Sequence, residues 1–158
     1  MNQLQFSHFR RSLLAGACDD GALYMWDSNT KTQLRRFDSG AGGHSAPCTG
    51  LVFSPCNQML LVSVGLDRNV ICYDVNSNKV IKMMSGADAL TSVDLLSDGA
   101  TLVVGSSRGR LSVYDLRKAS QPVKSLAAHQ FAISRLCFSL NHPSSTKVCL
   151  PYYLYLCI

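Results

Sequence analysis

The stretch "CDDGALYMWD", Cys18 to Asp27, sets three carboxylates, Asp19, Asp20 and Asp27, around Trp26, the one tryptophan in 158 residues. Two carboxylates converging in a pocket can divide the work of a general acid and a general base. Histidines at 44 and 129 could act as bases, and His129, Cys137 and His142 as metal ligands. Neither chemistry finds its pattern. A zinc site needs four convergent ligands at characteristic gaps, and the three candidates have neither; the seven cysteines contain no CxxC pair. No GxSxG elbow, P-loop, HExxH or GxGxxG occurs. The expectation is a chain that is not an enzyme and holds no metal or other cofactor.

The acids instead recur with a scaffold. "DDGALYMWD" (Asp19 to Asp27) returns as "LDRNVICYD" (Leu66 to Asp74) and as "SRGRLSVYD" (Ser107 to Asp115). The aromatic–acid pairs Trp26-Asp27, Tyr73-Asp74 and Tyr114-Asp115 are therefore copies, and Asp20, Asp67 and Arg108 each precede their aromatic by six. Apolar runs stand ahead of each copy ("SLLAGA", "MLLVSVG", "TLVVGSS"), and alternating segments stand before those ("LQFS", "GLVFSP", "TSVDLLSDG", "SRLCFS"). After each pair come a polar turn and a last alternating segment, "QLRRF", "KVIKMM" or "PVKSLAA". Period-two alternation rich in β-branched residues, broken by Gly, Asn, Asp and Pro, predicts strands, and helical spacing is nowhere sustained. Four antiparallel strands every ~40–45 residues predict propeller blades, which are stable only when stacked on neighbours.

That architecture gives the candidate catalytic groups structural work. The Trp or Tyr ends the third strand and is expected to pack between sheets, while the hairpin Asp pins its turn by accepting hydrogen bonds. His44 and His129 each stand nine residues before a strand Phe, Phe53 and Phe138, and are expected to complete the buried network. Asp20, Trp26, Asp27, His44, Asp67, Tyr73, Asp74, Tyr114, Asp115 and His129 thus form the structural repeat set.

Composition narrows the partners. At 47% hydrophobic and 16% charged residues, the chain is too apolar to be disordered. The net charge of +5 is spread over single bases and pairs such as Arg10-Arg11, Arg35-Arg36 and Arg117-Lys118, which argues against nucleic acid. The most apolar stretch, Val148 to Ile158, contains a proline and falls well short of the ~20 residues that span a bilayer, so no membrane is expected. "MNQLQFSHFRRS" is too polar for a signal sequence, which predicts a cytoplasmic protein with reduced thiols, Cys18, Cys56 and Cys72 acting as small hydrophobes or loop residues.

With Trp26-Asp27 as a namesake pair and Gly43-His44 as an opening dipeptide, residues 4 to 139 resemble the WD40-repeat family. The resemblance implies an all-β fold, a partial β-propeller of about three four-stranded blades plus the start of a fourth, in an open arc. Blades are expected at 4–38, 49–85 and 90–128, an incomplete fourth at 132–140, and a divergent apolar tail at 141–158. Arg108 replaces the hairpin Asp in the third unit and Gly86 matches its loop histidine, so that blade is expected to lack the polar network and to be the softest. Both ends of the pattern stop short of full units. A truncated product is expected, with an alternative start at Met1 and an alternative exon after about Ser139. Such an arc exposes end faces, which predicts marginal stability, aggregation or self-association through open blade faces.

"FSPCNQMLLVSVGLDRNVICYD", "DGATLVVGSSRGRLSVYDLR" and "PVKSLAAH" are further similar to propellers of WD40 adaptors that target the γ-tubulin ring complex. In such adaptors the propeller localises the protein to centrosomes and spindles, and a helical region beyond it engages γ-tubulin complexes. Nothing in this chain resembles that helical region. The resemblance implies a protein–protein interaction module whose candidate contacts are exposed bases on turns: Arg68, Arg108, Arg110, Arg117 and Lys118. The alternative is a substrate receptor for a cullin-RING ubiquitin ligase. "VVGSSRGRLSVYDLR" resembles the box its propeller adaptor reads, ending in Asp115 and Arg117, although Arg108 departs from the pattern. Ser54-Pro55 has a proline-directed phosphorylation form, but "FSP" also fits a blade turn, and the turn is expected.

Overall fold

The computed structural model describes residues 1–77, 79–118 and 121–138, together with the backbone of Leu154–Cys157. Three four-stranded antiparallel meanders follow one another. The first comprises β1 (Gln3–Phe6), β2 (Leu13–Ala17), β3 (Leu23–Asp27) and β4 (Thr32–Phe37). The second comprises β5 (Cys48–Phe53), β6 (Leu60–Gly65), β7 (Asn69–Asp74) and β8 (Lys79–Ser85), and the third β9 (Leu90–Leu95), β10 (Thr101–Ser106), β11 (Arg110–Asp115) and β12 (Lys124–Ala127). A two-stranded sheet follows, β13 (Arg135–Phe138) with β14 (Leu154–Cys157). Among the described residues the only helical turn is the 3₁₀ turn Ser39–Ala41.

The sheets are built on one register. Trp26 pairs with Leu14, Tyr73 with Leu61 and Tyr114 with Leu102, so the same aromatic meets the same leucine in each. They stack through apolar faces. Leu13, Leu23, Met25 and Phe37 of the first sheet pack with Leu51, Phe53, Ile71 and Tyr73 of the second. Val62, Val70 and Met84 of the second pack with Leu95, Leu102 and Tyr114 of the third, and Val103 and Leu111 pack with Ile133 and Leu136 of the fourth unit. Each such large side chain is worth about 1.5–3 kcal/mol when fully buried, so the interfaces between sheets carry most of the stability. Strands β6 and β7, enclosed on both faces, read as continuous apolar runs, whereas the outer strand β4 is exposed at all but Phe37.

The innermost strands β1, β5, β9 and β13 neighbour one another in that order, giving an arc around a common hub. Side chains sew them together. Gln3 and Gln5 accept from the Leu51 and Phe53 backbone N–H groups at 2.9 and 3.0 Å. The hydroxyls of Thr49 and Thr91 donate to the carbonyls of Leu90 and Ile133 at 2.8 and 2.6 Å. Asp94 accepts from Phe138 N–H at 2.6 Å. Lys82 reaches from β8 to the Leu116 and Lys118 carbonyls of the third sheet.

One expectation needs correction. Trp26 was expected between sheets, but it lies half-buried on the face of the first sheet turned away from the second, stacked on Tyr24 at 5.6 Å. Its equivalents Tyr73 and Tyr114 are fully buried because a preceding sheet covers each. Within the divergent apolar tail, Leu154–Cys157 pairs with β13, with Arg135 opposite Cys157 and Phe138 opposite Leu154. The rest of the 141–158 segment, including His142, lies outside the described residues.

Candidate functional site

The antiparallel order puts the β2–β3, β6–β7 and β10–β11 hairpins, with the loops leading into each sheet, on one rim of the arc. The turns after the aromatic–acid pairs lie on the opposite rim. On that opposite rim, Asp27 accepts from Asn29 N–H (2.9 Å), Asp74 from Asn76 and Ser77 N–H (2.8 and 3.2 Å), and Asp115 from Arg117 N–H (3.0 Å). The second residue of each repeat pair is thus a turn acceptor, a job a short carboxylate does well. Ser54 does the same in the "FSP" turn, accepting from Cys56 and Asn57 N–H while only 1% exposed, which closes it to modification. Arg117 is held by Asp115 through two contacts of 3.0 and 3.3 Å, and Lys118 stands 3.8 Å from the same carboxylate.

On the hairpin rim, the second sheet holds a closed polar network. His44 Nδ1 lies 2.9 Å from Asp67 Oδ1, and Nε2 lies 2.7 Å from Ser63 Oγ. The Tyr73 hydroxyl stands 3.4 Å from that Oγ and 3.5 Å from the Gly42 carbonyl. Asp67 also accepts from the Ser45 and Asn69 N–H groups at 3.1 Å each. Burial holds the His44 imidazole below its ordinary pKa, overriding the opposing hydrogen bond and charge of Asp67. Burial pushes the Asp67 carboxyl up, but hydrogen bonds from His44, Asn69 and Ser45 outweigh it and leave the carboxyl below its ordinary value. A neutral imidazole beside an ionised carboxylate fixes the tautomer: Nδ1–H donates to Asp67, and Nε2 accepts from Ser63. These groups hold one another, with His44, Ser63 and Tyr73 buried and the Asp67 side chain 5% exposed.

The first and third sheets solve the same problem differently. Asp20 accepts from Ala22 N–H at 3.0 Å and from the Tyr24 hydroxyl at 2.9 Å, while Arg36 lies 5.4 Å over the Tyr24 ring. In the third sheet the Ser106 hydroxyl replaces the missing Asp, accepting from Arg108 and Arg110 N–H at 3.3 and 3.0 Å. The expectation that this blade lacks a polar network is corrected by Asp88, which sequence reasoning missed. Its side chain, 8% exposed, lies in the β8–β9 loop against Arg110 (3.2 Å) and Arg108 (3.5 Å). The polarity is reversed: acid on the loop, cations on the hairpin. Among the described residues the Tyr114 hydroxyl has no hydrogen-bond partner, and Asp88 Oδ2 meets Arg110 Nε at 3.2 Å as an ion pair without hydrogen-bond alignment. His129 is not in a comparable network; its Nδ1 accepts from Phe131 N–H at 3.1 Å at the surface. Among the described residues no group of His, Cys, Asp or Glu could hold a metal.

The structure brings Arg68, Arg108 and Arg110 to the hairpin rim and leaves Arg117 and Lys118 on the other. Arg68 has φ 68°, the left-handed region, where the equivalent hairpin residues are Gly21 (φ 79°) and Gly109 (φ 72°). A non-glycine residue there costs about 1 kcal/mol.

Stacked four-stranded meanders with a shared register and a repeating turn acid define a WD-repeat β-propeller, and the chain belongs to the family described as "Nucleolar protein 10-like, N-terminal domain", whose β-propeller family model matches residues 1–151. Among individual proteins it is 41% identical to Protein NEDD1 of Mus musculus over 150 residues, 95% of this chain and 22% of that protein. Identity to Protein NEDD1 of Homo sapiens is also 41%, over 89% of this chain and 21% of that protein. The chain therefore spans about a fifth of the length of these relatives. A chain in the crystal structure of the mitotic checkpoint complex superposes with a TM-score of 0.76 at 23% identity, covering 87% of this chain and 40% of that one, which shows the shared fold.

Proposed function

We propose that this chain is the propeller part of a non-enzymatic adaptor that targets the γ-tubulin ring complex to centrosomes and spindle microtubules. The observation that carries the reading is the 41% identity to Protein NEDD1 across 95% of the chain, joined to the resemblance to γ-tubulin-targeting adaptors. A rigid stack of sheets holding turns at fixed positions suits protein docking. The repeat acids Asp27, Asp74 and Asp115, committed to turns, and His44 and Asp67, committed to each other, favour a scaffold over a catalyst. The propeller supplies localisation, in the cytoplasm at the centrosome and spindle. Engagement of γ-tubulin belongs to a helical region of the adaptor that this chain does not resemble.

Affinity purification of the tagged chain from mitotic cells tests this. Recovery of centrosomal and spindle-pole proteins, unchanged by Arg117→Ala, is expected. Recovery of a cullin-ligase propeller adaptor, abolished by Arg117→Ala, would overturn the reading in favour of a ubiquitin-ligase receptor. The pairing of Arg117 with its own Asp115 weighs against that alternative.

A further inference from the structure

The β6–β7 hairpin keeps an arginine at a position where both sister hairpins use glycine. Arg68 is exposed, its backbone is left-handed, and among the described residues its side chain has no ion pair. Its main chain is fully used: N–H donates to the Gly65 carbonyl at 3.1 Å, and its carbonyl accepts from Gly86 N–H at 2.7 Å. The strained geometry therefore serves the turn, which glycine would form more easily, and leaves the guanidinium unexplained by the fold. A strained residue with no structural use for its side chain points to function.

Its surroundings state what that function needs. The loop that caps the Arg68 carbonyl continues into Asp88, whose carboxylate meets Arg108 and Arg110 of the next hairpin. Arg108 is 80% exposed, so its guanidinium remains open to solvent over the buried acid. Leu66, beside Arg68 on the same hairpin, is 41% exposed. Three cations against two buried carboxylates, Asp67 and Asp88, leave this stretch of rim net positive, with an apolar contact at its edge. The patch is too small for a nucleic-acid track and matches a short acidic segment.

We propose that the hairpin rim shared by the second and third sheets is a docking surface for an acidic polypeptide segment, with Arg68 and Arg108 receiving carboxylates and Leu66 an apolar side chain. It rests on the reading of the chain as a protein-binding propeller and names the chemistry of a partner. Arg110 opposes the buried Asp88 and keeps the rim folded.

The test uses the full chain and a fluorescent glutamate-rich peptide carrying a central leucine, with a lysine-rich peptide and a single-stranded RNA as further probes. The wild type binds the acidic peptide, and binding weakens as salt rises. Arg68→Gly combined with Arg108→Gln lowers affinity roughly tenfold, Arg68→Lys retains most of it, and Arg68→Gly melts no lower than the wild type because glycine suits that turn. Absence of binding by the wild type, or unchanged affinity in the double variant, overturns the proposal. So does RNA binding that is lost in the same variant. Peptide affinity and purification of spindle-pole proteins are separate readouts. Intact peptide docking without those proteins sinks only the cellular reading, and their recovery without peptide docking sinks only this proposal.

Discussion

Replacing His44 by alanine is the sharpest perturbation of the scaffold. The imidazole is buried, its Nδ1–H donates to an ionised Asp67 whose side chain is 5% exposed, and its Nε2 accepts from the fully buried Ser63 hydroxyl. Losing a hydrogen bond to a charged group removes about 1.5–3 kcal/mol, and losing the bond from the Ser63 hydroxyl, which keeps the Tyr73 hydroxyl at 3.4 Å as a partner, removes about 0.5–1.5 kcal/mol more. A total of about 3 kcal/mol follows, which for a chain of this size lowers the melting temperature by about 9 °C. Urea titration followed by far-UV circular dichroism measures it. Hydrogen exchange of the Ser45 and Asn69 amides, both donors to Asp67, localises the damage. Asp20→Ala, which removes a solvent-exposed acceptor, serves as the control and costs about 1 kcal/mol. A loss below about 1 kcal/mol for His44→Ala, or an additive double variant with Asp67→Ala, would refute the reasoning that these groups act as a coupled unit.

The orphaned hydroxyl of Tyr114 makes Tyr114→Phe neutral or stabilising by up to about 1 kcal/mol, whereas Tyr73→Phe, which breaks contacts to Ser63 and Gly42, costs about 1 kcal/mol; paired urea midpoints decide. Arg110→Ala leaves the buried Asp88 facing only an exposed Arg108 and costs about 3 kcal/mol, much of it recovered by adding Asp88→Ala, as a double-mutant cycle would reveal. Because burial holds His44 below its ordinary value of 6.5, the unfolded chain binds a proton that the folded chain refuses. Stability therefore falls as pH drops below 6.5, and again as Asp67 protonates below its ordinary 3.8. Urea midpoints against pH should show the first loss in wild type and not in His44→Gln.

How much of this was readable in advance depended on whether a residue obeyed the repeat. The aromatics at 26, 73 and 114 share a leucine partner because each sheet has the same register, and a fixed spacing in sequence is enough to reveal that. The His44–Asp67 pair was legible for the same reason. Asp88 was not, because the third sheet moves its acid to the loop and its cations to the hairpin, so the element is conserved in space and broken in spacing. Ser106, which caps the hairpin in place of the missing Asp, belongs to the strand and reads there as an ordinary small residue. The half-exposure of Trp26 depends on which sheet stands opposite, a property of neighbours that no local motif encodes. Pairing of Leu154–Cys157 with β13 escaped notice because that segment repeats nothing.

Imaging the fluorescently tagged chain in dividing cells tests the central claim most directly, since it asks whether this propeller carries an address. The account predicts accumulation at spindle poles overlapping γ-tubulin. A diffuse signal, or one confined to the nucleolus, would contradict it.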